Sequence, residues 1–222
     1  MPRLINIYNN LGGSVTFNAM LNEFDGVNSI TDLRFRASDF IDEFPDIEDE
    51  EYWDATAITR KLNNSNLIEI VFNTSDLLDS SIHNFPNIVL AMTFVHEVIH
   101  AEMYRQLMET LGQGSTDFTQ AQLDQYLMFD NALLFNLYVN NFTNQTDPQH
   151  ELMAFRYRQK IKQVLGEYNT SLTENQKEAL SWLGLEGTFA HALAMAANPD
   201  LQNLTQSALQ LVMQNGNYGS NE

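Results

Sequence analysis

Residues 88–101 constrain the fold of this chain most strongly, because they read IVLAMTFVHEVIHA and are apolar on nearly every side of a helix. Such a helix is typical of the centre of a domain, where neighbouring elements cover all of its faces. Three ionisable side chains, those of His96, Glu97 and His100, interrupt the apolar run. Because burying ionisable groups is costly unless they find partners, this triplet indicates a functional site.

His96 and His100 are four residues apart, so in a helix they project from the same side. That spacing lets both imidazoles reach one Zn²⁺ ion, and a glutamate next to the first histidine can act as a general base on water at the metal. Glu97 occupies that position. The pattern His-Glu-x-x-His therefore predicts a zinc site on this helix, with Glu97 as the base.

A catalytic zinc site usually has three protein ligands and one water, so the motif needs a partner elsewhere in the chain. The metzincin pattern is excluded, because Met103 and Gln106 stand where that pattern has glycine and histidine. His83 lies in a polar turn segment and is expected to be exposed. His191 is expected at the edge of the core.

Asp124 and Asp130 are weaker candidates, because no recognisable motif surrounds them. His150 and Glu151 are the stronger ones, on a helix that Asp147 and Pro148 begin as N-cap and first residue. At about 100° per residue, His150 lies at the centre of the apolar face, and Glu151 points about 100° away, in line with charged residues. We therefore expect His150 to be the third ligand. Glu151, expected on a solvated face, is the alternative.

Tyr157 follows His150 by seven residues, which is two helical turns on the same face. From there its phenol could donate a hydrogen bond to the oxyanion of a tetrahedral intermediate. A tyrosine on an apolar face is more often part of the core, so both interpretations stay open. Tyr104 and Tyr138 are open to the same two interpretations.

The charge of the chain limits its partners. Among 222 residues, 29 are Asp or Glu and 11 are Lys or Arg, which gives a formal net charge of −18. Nucleic acid and anionic membranes both require a cationic surface, so we expect neither as a partner. The chain has no cysteine, so any metal is held by His, Asp or Glu.

The sequence also bears on location. No apolar run reaches the roughly 20 residues of a membrane span, and the first residues lack the apolar core of a signal peptide. We expect a soluble protein, which would be secreted or on the cell surface only if an export signal has been removed. The oligomeric state is not predicted.

The hydrophobic pattern predicts a single α+β domain over residues 1–222 that is mainly α. The clearest strand is 67–72 (LIEIVF), and 33–35 is a weaker one. Residues 215–222 are expected to be a frayed tail. Helices are predicted at 14–24, 87–111, 119–139, 148–168, 174–183, 188–198 and 201–213.

Together these segments resemble a known family. Strand 67–72, the motif helix, residues 150–157 and the stretch 182–188 (WLGLEGT) are similar to poorly characterised zinc metallopeptidases of a Bacteroidetes-type family. That family is itself similar to the SprT-like and minimal gluzincin groups of zincins. The resemblance covers about residues 65–195, and residues 1–60 have no counterpart in it.

The resemblance implies a zincin-like fold, in which a small sheet lies beside the HExxH helix and a helical part follows. It also implies zinc held by His96, His100 and His150, and an edge strand that binds an extended peptide. The chain lacks the zinc-ribbon cysteines and the basic surface of SprT-like proteins, which argues against a DNA-associated role.

Three functions are compatible with these observations. The first is a zinc-dependent endopeptidase that acts on a peptide or protein substrate, with the substrate expected to pair along 67–72. The second is a non-catalytic, metal-stabilised binding or structural module of a larger surface or secreted protein. Glu97 argues against the second, because a structural site needs no base. The third is a hydrolase of a non-peptide amide, which the sequence does not separate from a peptidase.

Overall fold

The computed structural model describes residues 2–25, 29–45, 52–63, 65–110, 119 and 148–214. Over these residues the protein is mainly helical with a small sheet, as predicted. The strands are β1 (Asp32–Ser38), β2 (Ala57–Lys61) and β3 (Leu67–Asn73). The helices are α1 (Pro2–Leu11), α2 (Val15–Asp25), α3 (Phe40–Glu43), α4 (Asn87–Thr110), α5 (Pro148–Leu152), α6 (Arg158–Tyr168), α7 (Glu174–Leu180), α8 (Phe189–Ala197) and α9 (Leu201–Gln214).

The three strands form one sheet in the order β1-β3-β2, with β1 parallel and β2 antiparallel to β3. The expectation that 67–72 form the peptide-binding edge is therefore wrong, because β3 is central. Apart from Glu69, its residues from Leu67 to Phe72 are apolar, and this pattern reflects cover on both faces, which is how a central strand differs from an edge strand. The shorter strand β2, with Thr, Arg and Lys, was missed by the sequence pattern and is an edge.

Helix α4 packs against one face of this sheet. Ile68, Ile70 and Phe72 point from β3 into the main hydrophobic core, which also contains most apolar residues of α4. Val95 and Val98, immediately around the first two motif residues, are fully buried. The all-round apolar sequence of this helix thus corresponds to a position in the middle of the domain.

An ion-pair network covers the opposite face of the sheet. Glu69 of β3 is only 1% exposed and is paired with Arg34 and Arg36 of β1 and with Arg60 of β2. Arg60 also binds Glu43, with 2.7 Å between Nη2 and Oε1. Hydrogen bonds from Arg36, and then from Arg60 and Ser38, hold the pKa of Glu43 at about 2, against the raising effect of burial. The network ties the edge strand β2 to the rest of the sheet through Arg60.

Helices α1 and α2 join the same core, although the N-terminal residues 1–60 have no counterpart in the family resemblance. Leu11 of α1 and Phe17 of α2 are fully buried in the cluster that contains α4. The predicted N-cap of α2 is confirmed, because the Ser14 hydroxyl accepts from the Phe17 N–H at 3.0 Å. That hydroxyl also donates to Glu167 at the end of α6, 2.6 Å away.

The helical signals after the motif are confirmed in most cases. Helix α5 begins at Pro148 and α6 ends at Tyr168, as predicted, but Met153–Tyr157 between them is π-helical. The capping box of Thr173 and Gln176 is present. Helix α7 ends at Leu180, three residues earlier than expected. The predicted helix at 119–139 and the predicted frayed tail lie outside the described residues.

None of the described helices has the length and apolar composition to cross a membrane.

Candidate metal centre

The structure brings three histidines together at the face of α4 that lies beside α5. The Nε2 atoms of His96 and His150 are 3.3 Å apart, and those of His96 and His100 are 3.1 Å apart. All three residues offer ring nitrogens that lie within 4.8 Å of one another. Three lone-pair donors pointing at one small volume are a typical metal-binding arrangement. This group could hold a metal ion.

Gln149 orients one of these imidazoles. Its side-chain oxygen Oε1 lies 2.9 Å from Nδ1 of His100. An amide oxygen only accepts hydrogen bonds, so the contact places the proton on Nδ1 and leaves the lone pair on Nε2. Fixing the tautomer through the nitrogen remote from the metal is the usual role of a neighbour of a metal-binding histidine. Gln149 and His150, adjacent in sequence, therefore both serve this centre.

His96 is the most enclosed of the three histidines, with 8% of its surface exposed. Burial, followed by the proximity of His100 and His150, holds its pKa well below the usual value of 6.5. The neutral ring keeps the lone pair that a metal ligand needs. The environment of His96 thus suits coordination.

Gly184 lies close to the His96 ring. Its φ is +75°, a left-handed conformation that favours glycine. A Cβ at this position would lie 3.2 Å from Cε1 of His96. The segment between α7 and α8 can pass this close to the imidazole because residue 184 has no side chain.

Glu97 is buried beside the histidines, with 6% of its surface exposed. The Thr59 hydroxyl of β2 lies 2.8 Å from its Oε2 and 2.9 Å from its main-chain oxygen, and donates to one of them at a time. Burial raises the pKa of Glu97 to about 8, against the lowering effect of the Thr59 hydrogen bond. A carboxyl group with a pKa in this range can both take up and release a proton near neutral pH.

The histidines and Glu97 open into one cavity of about 570 Å³. One wall is α4, and the opposite wall is the edge strand β2 with the residues just before it. Leu183 and Gly184 close a third side. The further lining side chains are mostly apolar or aromatic: Tyr52, Phe85, Val89, Met92 and Tyr104. The cavity thus joins the candidate metal ligands to an open strand edge.

Glu151 does not lie where the sequence predicted. It is 5% exposed instead of solvated, and its Oε1 accepts from the N–H of Phe189 at 2.6 Å. Phe189 is the first residue of α8, where main-chain N–H groups lack helical partners and favour a negative charge. The expectation of a solvated face is wrong because a later helix covers Glu151. The carboxylate serves that helix terminus, and Glu151 is absent from the histidine group.

The structure places Tyr157 away from the cavity lining. Its hydroxyl donates to Oε1 of Gln106 at 3.4 Å. The regular wheel used to align Tyr157 with His150 does not hold across the π-helical segment, which contains more residues per turn than an α-helix. Its role as an oxyanion donor stays a prediction, and Tyr104 is the tyrosine of α4 that lines the cavity. Tyr138 lies outside the described residues.

The two other histidines stand apart from the centre, as expected. The side chain of His83 is 56% exposed and lies 3.8 Å from Asp76. Nδ1 of His191 lies 2.8 Å from the main-chain oxygen of Glu186, and its ring lies against Trp182.

Three contributors to the centre were missed by sequence reasoning: Thr59, Gln149 and Gly184. Gln149 precedes the predicted ligand by one residue, and Gly184 lies in the stretch that carried the family resemblance. Thr59 had no signal, because its strand was not predicted.

Comparisons with models of known protein families, with curated proteins and with solved structures gave no match.

The ligand assignment is tested by His150→Ala, with Glu151→Gln as the matched neighbour. Removing His150 is expected to weaken metal binding by more than about 100-fold, because even neighbours that only orient a ligand contribute 10–100-fold. Glu151→Gln keeps an acceptor for the Phe189 N–H, so its affinity for zinc should stay within about threefold of the wild-type value. Competition of each protein with a chelator for zinc measures both values. Tight zinc binding by the His150 variant would contradict the assignment.

The close approach of Gly184 is tested by Gly184→Ala. The added methyl group meets the His96 ring in a left-handed backbone conformation, so unfolding free energy should fall by about 1–2 kcal/mol and metal binding should weaken. Gly187→Ala is the matched control, since a Cβ there meets nothing within 4 Å. Urea unfolding and zinc competition provide the two measurements. Equal effects of the two substitutions would show that the contact with His96 is unimportant.

Proposed function

We propose that the chain is a zinc-dependent peptidase of the zincin type that cleaves within peptide chains. One observation carries the proposal: three histidine Nε2 atoms and the Glu97 carboxyl group share one cavity with an open strand edge. Metal, base and a surface for extended backbone are the components that metal-assisted peptide hydrolysis requires.

Zinc is the metal that suits this donor set best. All three donors are imidazole nitrogens, and the chain has no cysteine. Nitrogen ligands at tetrahedral angles around Zn²⁺ are about 3.3–3.4 Å apart, given Zn–N distances of 2.0–2.1 Å. The two Nε2 separations of 3.1 and 3.3 Å are close to that value. Within the described residues the group has three members, which leaves one tetrahedral position for water or substrate.

When bound, zinc supplies a Lewis acid that polarises the scissile carbonyl and lowers the pKa of water. Glu97 takes a proton from the attacking water as the water oxygen bonds to the carbonyl carbon. It then passes that proton to the amine as the C–N bond breaks. Burial raises the pKa of Glu97 to about 8, and the positive charge of a bound Zn²⁺ would favour the ionised carboxylate that takes up the proton. The burial of Glu97 excludes bulk water from this transfer.

Two main-chain hydrogen bonds at the ends of the β2–β3 pair show which residues of β2 face away from β3. The Asn73 N–H donates to the Thr56 oxygen, and the Leu62 N–H donates to the Leu67 oxygen. Main-chain groups of an antiparallel strand point alternately toward and away from the partner. In the observed register, those of 57, 59 and 61 therefore point away from β3.

This outer side of β2 supports a peptide substrate over a non-peptide amide. Within the described part of the chain, β2 is the last strand of the sheet on that side. Ala57 and Thr59 line the cavity beside Glu97. An extended peptide can add to such an edge through main-chain hydrogen bonds, which need no particular side chain. The scissile bond would then lie next to the histidine group.

Glu97→Gln tests the proposed chemistry. The amide has nearly the same shape but does not take up a proton, so hydrolysis should fall by about 10²–10⁴-fold while zinc stays bound. Cleavage of fluorescein-labelled casein and elemental analysis of the same samples measure the two effects. Retained cleavage by the zinc-loaded variant would contradict the role of Glu97. Cleavage by neither protein would favour a non-catalytic metal-stabilised module.

A further inference from the structure

We propose that Thr59 is a positioning residue that links substrate binding to the general base. Its main chain belongs to the open edge of β2, and its hydroxyl holds the Glu97 carboxyl group. This inference rests on the proposed peptidase function. It adds a residue of the sheet to a centre otherwise built on helices.

The contact between Thr59 and Glu97 is specific in its geometry. The hydroxyl oxygen lies within 2.9 Å of the main-chain oxygen and within 2.8 Å of Oε2 of the same residue. Within the described residues, no other side chain hydrogen-bonds this carboxyl group. A glutamate side chain has several rotamers. A hydroxyl group within hydrogen-bond distance of both the main-chain oxygen and a carboxyl oxygen of that residue selects among these rotamers.

The hydrogen bond also distinguishes the two carboxyl oxygens. Thr59 engages Oε2 of Glu97, so Oε1 is the oxygen left to take the proton from water. A general base must lie within hydrogen-bond reach of the proton that it removes. Fixing which oxygen faces the water therefore contributes to the rate without any contact between Thr59 and the reacting atoms.

Thr59 is itself held firmly. Its neighbour Arg60 points to the opposite face of the sheet and binds Glu69 at 2.8 Å and Glu43 at 2.7 Å. On the cavity side, Thr59 bridges β2 to α4 through Glu97. The residue is thus anchored through β2 on one face and α4 on the other. A peptide that pairs with the main chain at 59 binds to a part of the sheet whose distance from the base is fixed.

Thr59→Val and Thr59→Ser separate the hydroxyl group from the shape of the side chain. Valine keeps the branched shape that suits a strand, and serine keeps the hydroxyl group. The two variants and the wild type are compared as zinc-loaded proteins on fluorescein-labelled casein. Thr59→Val should lower kcat by at least about tenfold and leave KM within about twofold, because the base and not substrate binding is affected. Thr59→Ser should retain kcat within about threefold, and zinc content should be equal in all three proteins.

A second readout is independent of turnover. Replacing zinc by Co²⁺ gives visible absorption bands that report the surroundings of the metal. Thr59→Val should shift these bands toward those of Glu97→Gln, while Thr59→Ser should keep the wild-type spectrum. If the wild type cleaves no casein, the proposed function fails for protein substrates, and the cobalt spectra still test Thr59.

Two results would overturn the positioning role. The first is a Thr59→Val protein with wild-type kcat and a wild-type cobalt spectrum. The second is a Thr59→Ser protein as impaired as Thr59→Val, since that would assign the effect to the methyl group and its packing. If the valine variant loses zinc or unfolds, the serine variant and its spectrum decide between the two explanations.

Discussion

Burial of residues 88–99 of α4 on all sides is the constraint on which the rest of the structure depends. A helix in the middle of the domain can include two histidines and a glutamate only where neighbouring elements complete their environment. The structure supplies those neighbours from every direction: Gln149 and His150 from α5, Thr59 from β2 and Gly184 from the segment before α8. The same burial raises the pKa of Glu97 and lowers that of His96. One physical cause thus keeps the His96 ring neutral and brings the pKa of the Glu97 carboxyl group close to neutral pH.

The sequence predicted those parts of the centre whose signals are local. The i, i+4 spacing of His96 and His100 and the apolar surroundings were sufficient for the motif helix. The position of His150 on an apolar face was sufficient to find the third histidine. Contacts between residues that are distant in the sequence leave no local signal. Thr59 is the clearest example, because its short polar strand resembles a loop. Strand β3 is predicted to be an edge strand but lies in the centre of the sheet. A strong apolar pattern indicates that a strand is buried, and it does not indicate the position of the strand in the sheet.

The helix that begins at Pro148 shows a second limit of sequence reasoning. His150 lies in the first turn of this helix and joins the group of His96 and His100. Beyond Leu152 the π-helical segment changes the angle between residues, and Tyr157 turns to Gln106. Glu151 was misjudged for another reason: the helix that covers it, α8, follows 38 residues later. Local periodicity contains no information about such a distant partner.

The central claim is that His96, His100 and His150 hold one zinc ion and leave a position for chemistry. Zinc-edge X-ray absorption spectroscopy of the full chain with one equivalent of zinc tests this most directly. Three imidazole nitrogens and one oxygen are expected at about 2.0–2.1 Å from the zinc ion, with the oxygen displaced by a hydroxamate that binds zinc. Four protein ligands without an exchangeable position, or zinc lost on dialysis, would contradict the claim.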